Sequence, residues 1–159
     1  MQVKDSVTDF DFIIGAWRVH HRRLNERFVN CTQWTEFYGD TTTFKVLQGY
    51  GNIEDNCLHF PSGDVKAVAL RSFDVSTGKW AIWWLDGRAP HKLDVPVIGE
   101  FDGNVGTFLA SDVIEGIPTC VKFNWFKNPG DNPRWEQAFS QDGGKTWEVN
   151  WIMEFSKNL

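Results

Sequence analysis

The chain has 159 residues, nine of them tryptophan, and a formal charge of -5 from 16 basic and 21 acidic side chains. That length holds one sizeable core, so residues 1–159 read as a single domain, and the acidic balance disfavours a nucleic-acid partner, whose phosphates select an excess of Lys and Arg. Cys31, Cys57 and Cys120 include no closely spaced pair, which excludes a zinc knuckle or a CxxC redox site and fits reduced thiols in the cytoplasm.

From the N-terminus, residues 1–9 read as a frayed lead-in. The opening MQVKDSVTDFDFIIGAW carries acidic residues and only a short apolar run, too little for an export signal or a membrane anchor, so no membrane partner is expected. Gly15 suits a sharp change of direction. Beyond it, Trp17, Val19, His21 and Arg23 share one face of a strand, and Arg18, His20 and Arg22 the other. A short helix over 18–28 competes, because Leu24, Arg27 and Phe28 also have helical spacing.

The runs CTQWTEFYG, TTTFKVLQG, DVKAVALRSFD, KWAIWWLD, NVGTFLASD, TCVKFNWFK, RWEQAFSQD and TWEVNWIMEFS are rich in branched and aromatic residues and are punctuated by Gly, Pro, Asn and Asp. They predict an all-β protein of about eight to ten strands. Turn signals at 76–78, 86, 102–104 and 142–144 favour hairpins and antiparallel neighbours. GRAPHKLDVPVIG, with Pro90 and Pro96, reads as a loop over one mouth. In KWAIWWLD, Trp80, Ile82 and Trp84 share a face opposite Ala81, Trp83 and Leu85, and Trp83, beside the small Ala81, is the preferred ligand-facing residue. Later strands set Val121, Phe123 and Trp125 against Lys122, Asn124 and Phe126. Trp135, Gln137 and Phe139 oppose Arg134, Glu136 and Ala138. Trp147, Val149, Trp151, Met153 and Phe155 oppose Glu148, Asn150, Ile152 and Glu154.

Two resemblances stand out. SQDGGKTW, Ser140 to Trp147, is similar to the Asp-box pattern SxDxGxTW, which implies a hairpin tied by Asp142 with Trp147 packed beneath it and implies no sialidase activity. The early Gly15-Ala16-Trp17 motif, the succession of short antiparallel strands and the closing aromatic strand resemble the calycin superfamily of lipocalin-like barrels, and more narrowly the small bacterial proteins grouped by a DUF1579-like domain. This likeness implies a closed antiparallel meander β-barrel, one end plugged by a tryptophan, with an interior suited to a small hydrophobic molecule.

The function expected is therefore binding of a small apolar or aromatic molecule, with an arginine available to any acceptor group it carries. Candidate ligand-binding residues are Trp17, His21, Arg23, Arg71, Trp83, Asn124, Arg134, Glu136, Gln137 and Asn150, each of which sets a ring or a polar group in a strand. Arg134 and Glu136 also fit an exposed cross-strand network. His21 is the weak catalytic candidate for the alternative, a cavity isomerase, cyclase or hydrolase, because imidazole exchanges protons near neutral pH. A homodimer or interaction module is the other alternative. His59 and His91 read as surface residues near turns. With four histidines and no compact ligand motif, neither a metal site nor a cofactor is expected.

Overall fold

Inward and outward side chains alternate along ten strands, and this alternation closes them into one barrel. The structure, a computed structural model, describes residues 6–157. In chain order the strands are β1 (Gly15–Leu24), β2 (Trp34–Val46), β3 (Gly51–Phe60), β4 (Gly63–Asp74), β5 (Lys79–Asp86), β6 (Val97–Asp102), β7 (Val105–Ile114), β8 (Ile117–Phe126), β9 (Arg134–Ser140) and β10 (Glu148–Lys157). Each pairs antiparallel with the next, and β1 also pairs with β10, so the sheet is a closed meander. Closure leaves no exposed strand edge to template aggregation. This is the all-β architecture expected from the pattern, closed as the lipocalin-like resemblance implied.

Residues 18–24 form the strand expected of them and not the competing helix, because alternation buries Val19 and His21 while Arg18 stays exposed. Other local expectations are corrected. The runs on either side of Gly39 make one strand, β2, rather than two. Gly39 is no breaker: it faces inward, where an added Cβ would lie 2.7 Å from the Cys57 carbonyl oxygen and 3.0 Å from His21 Nε2. Strand β3 was hidden by its inward set Asn52, Glu54 and Asn56, all buried, which inverts the usual apolar-in pattern. Strand β6 begins within GRAPHKLDVPVIG, so that only residues 87–96 of that segment stay outside named strands.

The face expected for the last strand is split by a β-bulge between Val149 and Trp151. Trp151, Met153 and Phe155 point inward, whereas Val149 sits opposite Ala138 on the outer side. The extra residue at Asn150 reverses the alternation.

The lead-in is not frayed from Ser6 onward; residues 1–5 lie outside the described region. Residues 6–14 cap one end of the barrel. Phe10 enters edge-on to Trp80 and Phe101, with ring centroids 5.0 and 5.1 Å away. Trp80 Nε1 donates to the Ser6 carbonyl at 3.1 Å, and Trp17 Nε1 donates to the Ile13 carbonyl at 2.9 Å. Lys127 Nζ pairs with Asp9 at 3.3 Å. Gly15, at φ 121° in the region favouring glycine, turns the chain from this cap into β1.

Just inside the cap lies a buried polar seam on β2, β3 and β4. Arg71 pairs with Glu54 at 3.2 Å and donates to Asn52 Oδ1 at 2.8 Å. Its guanidinium also lies over Phe10 and Trp125, 5.1 and 5.2 Å from the ring centroids. Asn56 Nδ2 donates to Glu54 Oε2 at 3.3 Å.

Candidate functional site

At the other end the inward residues shrink and the barrel opens. Val65, Ala67, Val97 and Val121 stand where the capped end has Phe73, Phe101, Phe108 and Trp125. The difference in side-chain volume leaves a cavity of about 600 Å³, within the range of small-molecule sites. Its aromatic wall is a chain of edge-to-face rings. Trp151 meets Trp84 at 5.7 Å and 87°, Trp135 meets Trp151 at 5.3 Å and 90°, and Phe123 meets Trp135 at 4.9 Å. Loop residues Arg88, Lys92, Leu93 and Val95 overhang the mouth, as the proline-containing segment suggested.

Two guanidinium groups line this cavity without a carboxylate partner. Arg23, at the inner end of β1, lies over Trp151 at 4.7 Å and Phe60 at 5.6 Å, and Arg27, in the following turn, lies over Phe139 at 4.7 Å. Neither makes an ion pair or a side-chain hydrogen bond among the described residues. Burial pushes both pKa values below the ordinary arginine value; for Arg23 the next cause is repulsion from Arg27 and Arg88. Stacking on aromatic faces lowers the cost of holding these cations away from water. Their N–H donors remain free for an incoming acceptor.

The acidic rim is differently engaged. Asp86 is gripped by Arg88, whose Nη2 donates to Oδ2 at 2.7 Å and Nε to Oδ1 at 3.1 Å. Burial, and then the neighbouring Asp112, push the Asp94 carboxyl above its usual range. Asp112 and Glu115 also line the cavity, and Glu115 acts on Arg27 through space without an ion-pair contact.

His21 sits behind the wall. It is 1% exposed, its ring is stacked on Phe37 at 4.7 Å and 7°, and Trp151 Nε1 donates to its Nδ1 at 3.1 Å. That bond fixes Nδ1 as an acceptor, so the neutral ring carries its proton on Nε2. Burial, with Arg23 as the next cause, lowers the His21 pKa to about 3. The imidazole thus stays neutral, and it orients Trp151 rather than facing the cavity.

The other candidates scatter. Gln137 lines the cavity and donates to Asn150 Oδ1 at 2.7 Å, so Asn150 supports the wall from the bulge. Trp17 belongs to the capped end, under Lys157 Nζ at 3.8 Å, and Arg71 to the buried seam. Trp83 faces the outer surface, in a shallow groove with Ala81 and Ile98. The alternation puts Trp84, and not Trp83, on the cavity side of β5. Asn124 is on the outside, donating to Thr107 Oγ1 at 3.0 Å and the Gly106 carbonyl at 3.2 Å. Arg134, Glu136, Glu154 and Arg22 form an outer-face network.

Sequence reasoning missed Arg27, Trp84, Trp135, Trp151 and Phe123 as site residues. For the rings the available signal was strand parity: each falls on the face that carries the core. The Asp-box hairpin forms as its motif implies. Asp142 accepts from the Lys145 and Thr146 amides at 3.0 and 2.9 Å, and Trp147 Nε1 donates to the Gly144 carbonyl at 3.1 Å. The Thr146 hydroxyl and amide, and then the Ser140 hydroxyl, hold the Asp142 carboxyl well below the usual range. The hairpin has no side chain in the cavity.

Fold and site together define an antiparallel ten-stranded barrel of the lipocalin-like, calycin kind, capped at one end and hollow at the other. No family model matches the chain, and no curated protein matches its sequence. No helix among the described residues is long and apolar enough to cross a membrane.

Proposed function

We propose that the hollow end binds a small molecule with an apolar or aromatic body and an anionic group. The single observation that carries this reading is the pair Arg23 and Arg27, stacked on cavity rings and unpaired among the described residues. A desolvated cation whose nearest carboxylates, Asp86 for Arg23 and Glu115 and Glu148 for Arg27, act only through space is costly in a resting site, and a bound carboxylate or sulfonate supplies the direct contact. The tryptophan wall supplies contact area for the ligand body. Within this reading the protein acts as a binder in a reducing, cytoplasmic setting, and kinship with the DUF1579-like bacterial proteins rests on Gly15-Ala16-Trp17 and the strand order.

The test is a matched pair of probes, naphthoate and uncharged naphthamide, titrated against intrinsic tryptophan fluorescence. Naphthoate should bind saturably, and the amide more weakly by roughly tenfold to a hundredfold, the worth of one charge-assisted hydrogen bond. In an Arg23→Leu, Arg27→Leu variant that still folds, the preference should disappear. Equal binding of the two probes by the unaltered protein, or none by either, would overturn the reading.

Catalysis by His21 finds less support, because the ring lies behind Trp151 and is held neutral. Self-association has one observation in its favour. Trp83, Ile98 and Leu109 lie near one another on the outer surface, with Ile98 and Leu109 about half exposed and directly paired across β6 and β7. Sedimentation at two protein concentrations tests it: a mass that doubles with concentration and reverts in Ile98→Lys supports a homodimer through this strip.

A further inference from the structure

The outer wall of the barrel carries a second group of chemically matched side chains, far in sequence from any compact motif. Cys57 and His59 are two residues apart on β3 and therefore share its outer face. Directly across from His59 on β4 stands Asp64, and directly across from Cys57 on β2 stands Asp40. His59 Nδ1 lies 2.8 Å from Asp64 Oδ1 and 3.9 Å from Cys57 Sγ, and the three ligand atoms lie within 4.8 Å of one another. His59 Nε2 is held by Asp40 Oδ2 at 2.9 Å.

We propose that Cys57, His59 and Asp64 form a binding site for a thiophilic divalent cation of the zinc type, with Asp40 as the residue that orients the imidazole. The donor set is one thiolate, one imidazole nitrogen and one carboxylate oxygen, a combination of soft and borderline ligands that suits zinc rather than magnesium or calcium. Tetrahedral zinc with ordinary bond lengths separates such donors by about 3.3–3.6 Å. Reaching that takes an opening of about half an ångström between His59 and Asp64, a smaller closing between His59 and Cys57, and an approach of Cys57 Sγ to the Asp64 carboxylate from no more than 4.8 Å, in side chains that border solvent. Three protein ligands leave the fourth position for water or a small anion.

Asp40 gives the cluster a feature that a plain surface ion pair lacks. It engages Nε2, which turns Nδ1 toward the other two donors, the same division of labour by which a carboxylate behind a ligating histidine fixes tautomer and ring orientation. Three adjacent hydrogen-bonded strands hold all four positions in register, so little backbone ordering is left to be done on binding. Without a metal the imidazole bridges two carboxylates. With one, the cation takes the place of the hydrogen bond to Asp64, and both the Nδ1 proton and the thiol proton pass to solvent as Nδ1 and Sγ become ligands.

Cobalt(II) is the probe, because thiolate coordination gives it a charge-transfer band in the near ultraviolet and zinc then competes silently. One equivalent should bind with that band and be displaced by zinc. Cys57→Ser should abolish the band, and Cys120→Ser should leave it intact. Asp40→Asn should keep the band but weaken affinity by roughly tenfold to a hundredfold, the usual effect of removing an outer carboxylate. All three side chains face outward, so far-ultraviolet circular dichroism of each variant should match the unaltered protein. Absence of the band, or a band that survives Cys57→Ser, would overturn the site; Asp40→Asn binding at full strength would overturn the role given to Asp40.

Discussion

Arg71 and Arg23 are built from the same parts and do opposite work. Both are inward-facing guanidinium groups resting on aromatic rings inside one barrel. Arg71 has Glu54 at 3.2 Å and Asn52 at 2.8 Å, and its side chain is 2% exposed. Arg23 has rings and open cavity. Ring contact alone therefore does not distinguish a structural arginine from a binding one; the presence of a resident counter-charge does. The capped end neutralises its buried cation from its own sequence, although Arg71 Nε and Glu54 Oε1 find no hydrogen-bond partner among the described residues, and the hollow end leaves even the ion-pair contact to a ligand.

The largest effect should come from breaking the satisfied pair. Arg71→Met keeps much of the volume but leaves Glu54 buried without its cation, and should cost about 3–5 kcal/mol in urea unfolding. Adding Glu54→Gln should recover a good part of that loss, because the stranded charge is gone. A loss below about 1 kcal/mol for the single variant would mean that the pair contributes no more than an exposed one.

Next in size is the acid response of His21, which sits one layer behind Arg23. Its pKa is about 3 in the folded chain against 6.5 for a free imidazole. Between those values the unfolded chain binds a proton that the folded one refuses. The contribution of His21 is thus complete above about pH 6.5 and is lost as pH falls, at about 1.4 kcal/mol per pH unit until pH about 3. Protonation would also remove the acceptor for the Trp151 indole. The check is the difference in unfolding free energy between the parent and His21→Phe at pH 7.5 and pH 5, with the His21 imidazole resonance followed by NMR. That resonance should not titrate near pH 6.5.

Arg23→Leu should show the reverse profile of Arg71→Met. Stability should change by less than about 1 kcal/mol, since no partner is stranded and a desolvated cation is removed. The naphthoate preference over naphthamide should fall at least several-fold. Loss of stability comparable to that of Arg71→Met would erase the distinction between the two ends.

This distinction was only half legible in the sequence. Strand periodicity placed Trp17, His21 and Arg23 on one face correctly, and the branched and aromatic runs announced an all-β structure, with its closure carried by the family resemblance. Periodicity cannot say which inward arginine meets a carboxylate, because Glu54 lies in a strand whose inward positions are polar and which therefore did not look like a strand. The choice of Trp83 over Trp84 failed for a related reason. The small neighbour Ala81 does not mark the cavity; the space comes from Ala67 and Val97 on adjoining strands. Asn150 was noticed as an interruption, yet its role as a bulge residue depends on the register of β9, which no local pattern contains. Cys57, His59, Asp64 and Asp40 were likewise separate letters until three strands aligned.

A third arginine sharpens the comparison with the smallest effect. Arg134 is paired like Arg71, to Glu136 at 2.6 Å and Glu154 at 3.0 Å, but its side chain is 32% exposed. Water solvates whatever its removal leaves behind, and Arg22 still holds Glu154 at 2.8 Å. Arg134→Gln should therefore cost only about 0.2–1 kcal/mol, the usual worth of an exposed pair. Salt near 1 M, where screening acts over about 3 Å, should shrink even that difference. Because the side chain points away from the cavity, naphthoate affinity should be unchanged. A tenfold fall in that affinity would move the anion site to the outer face of β9 and β10, and pairing and burial would no longer sort these three arginines by role.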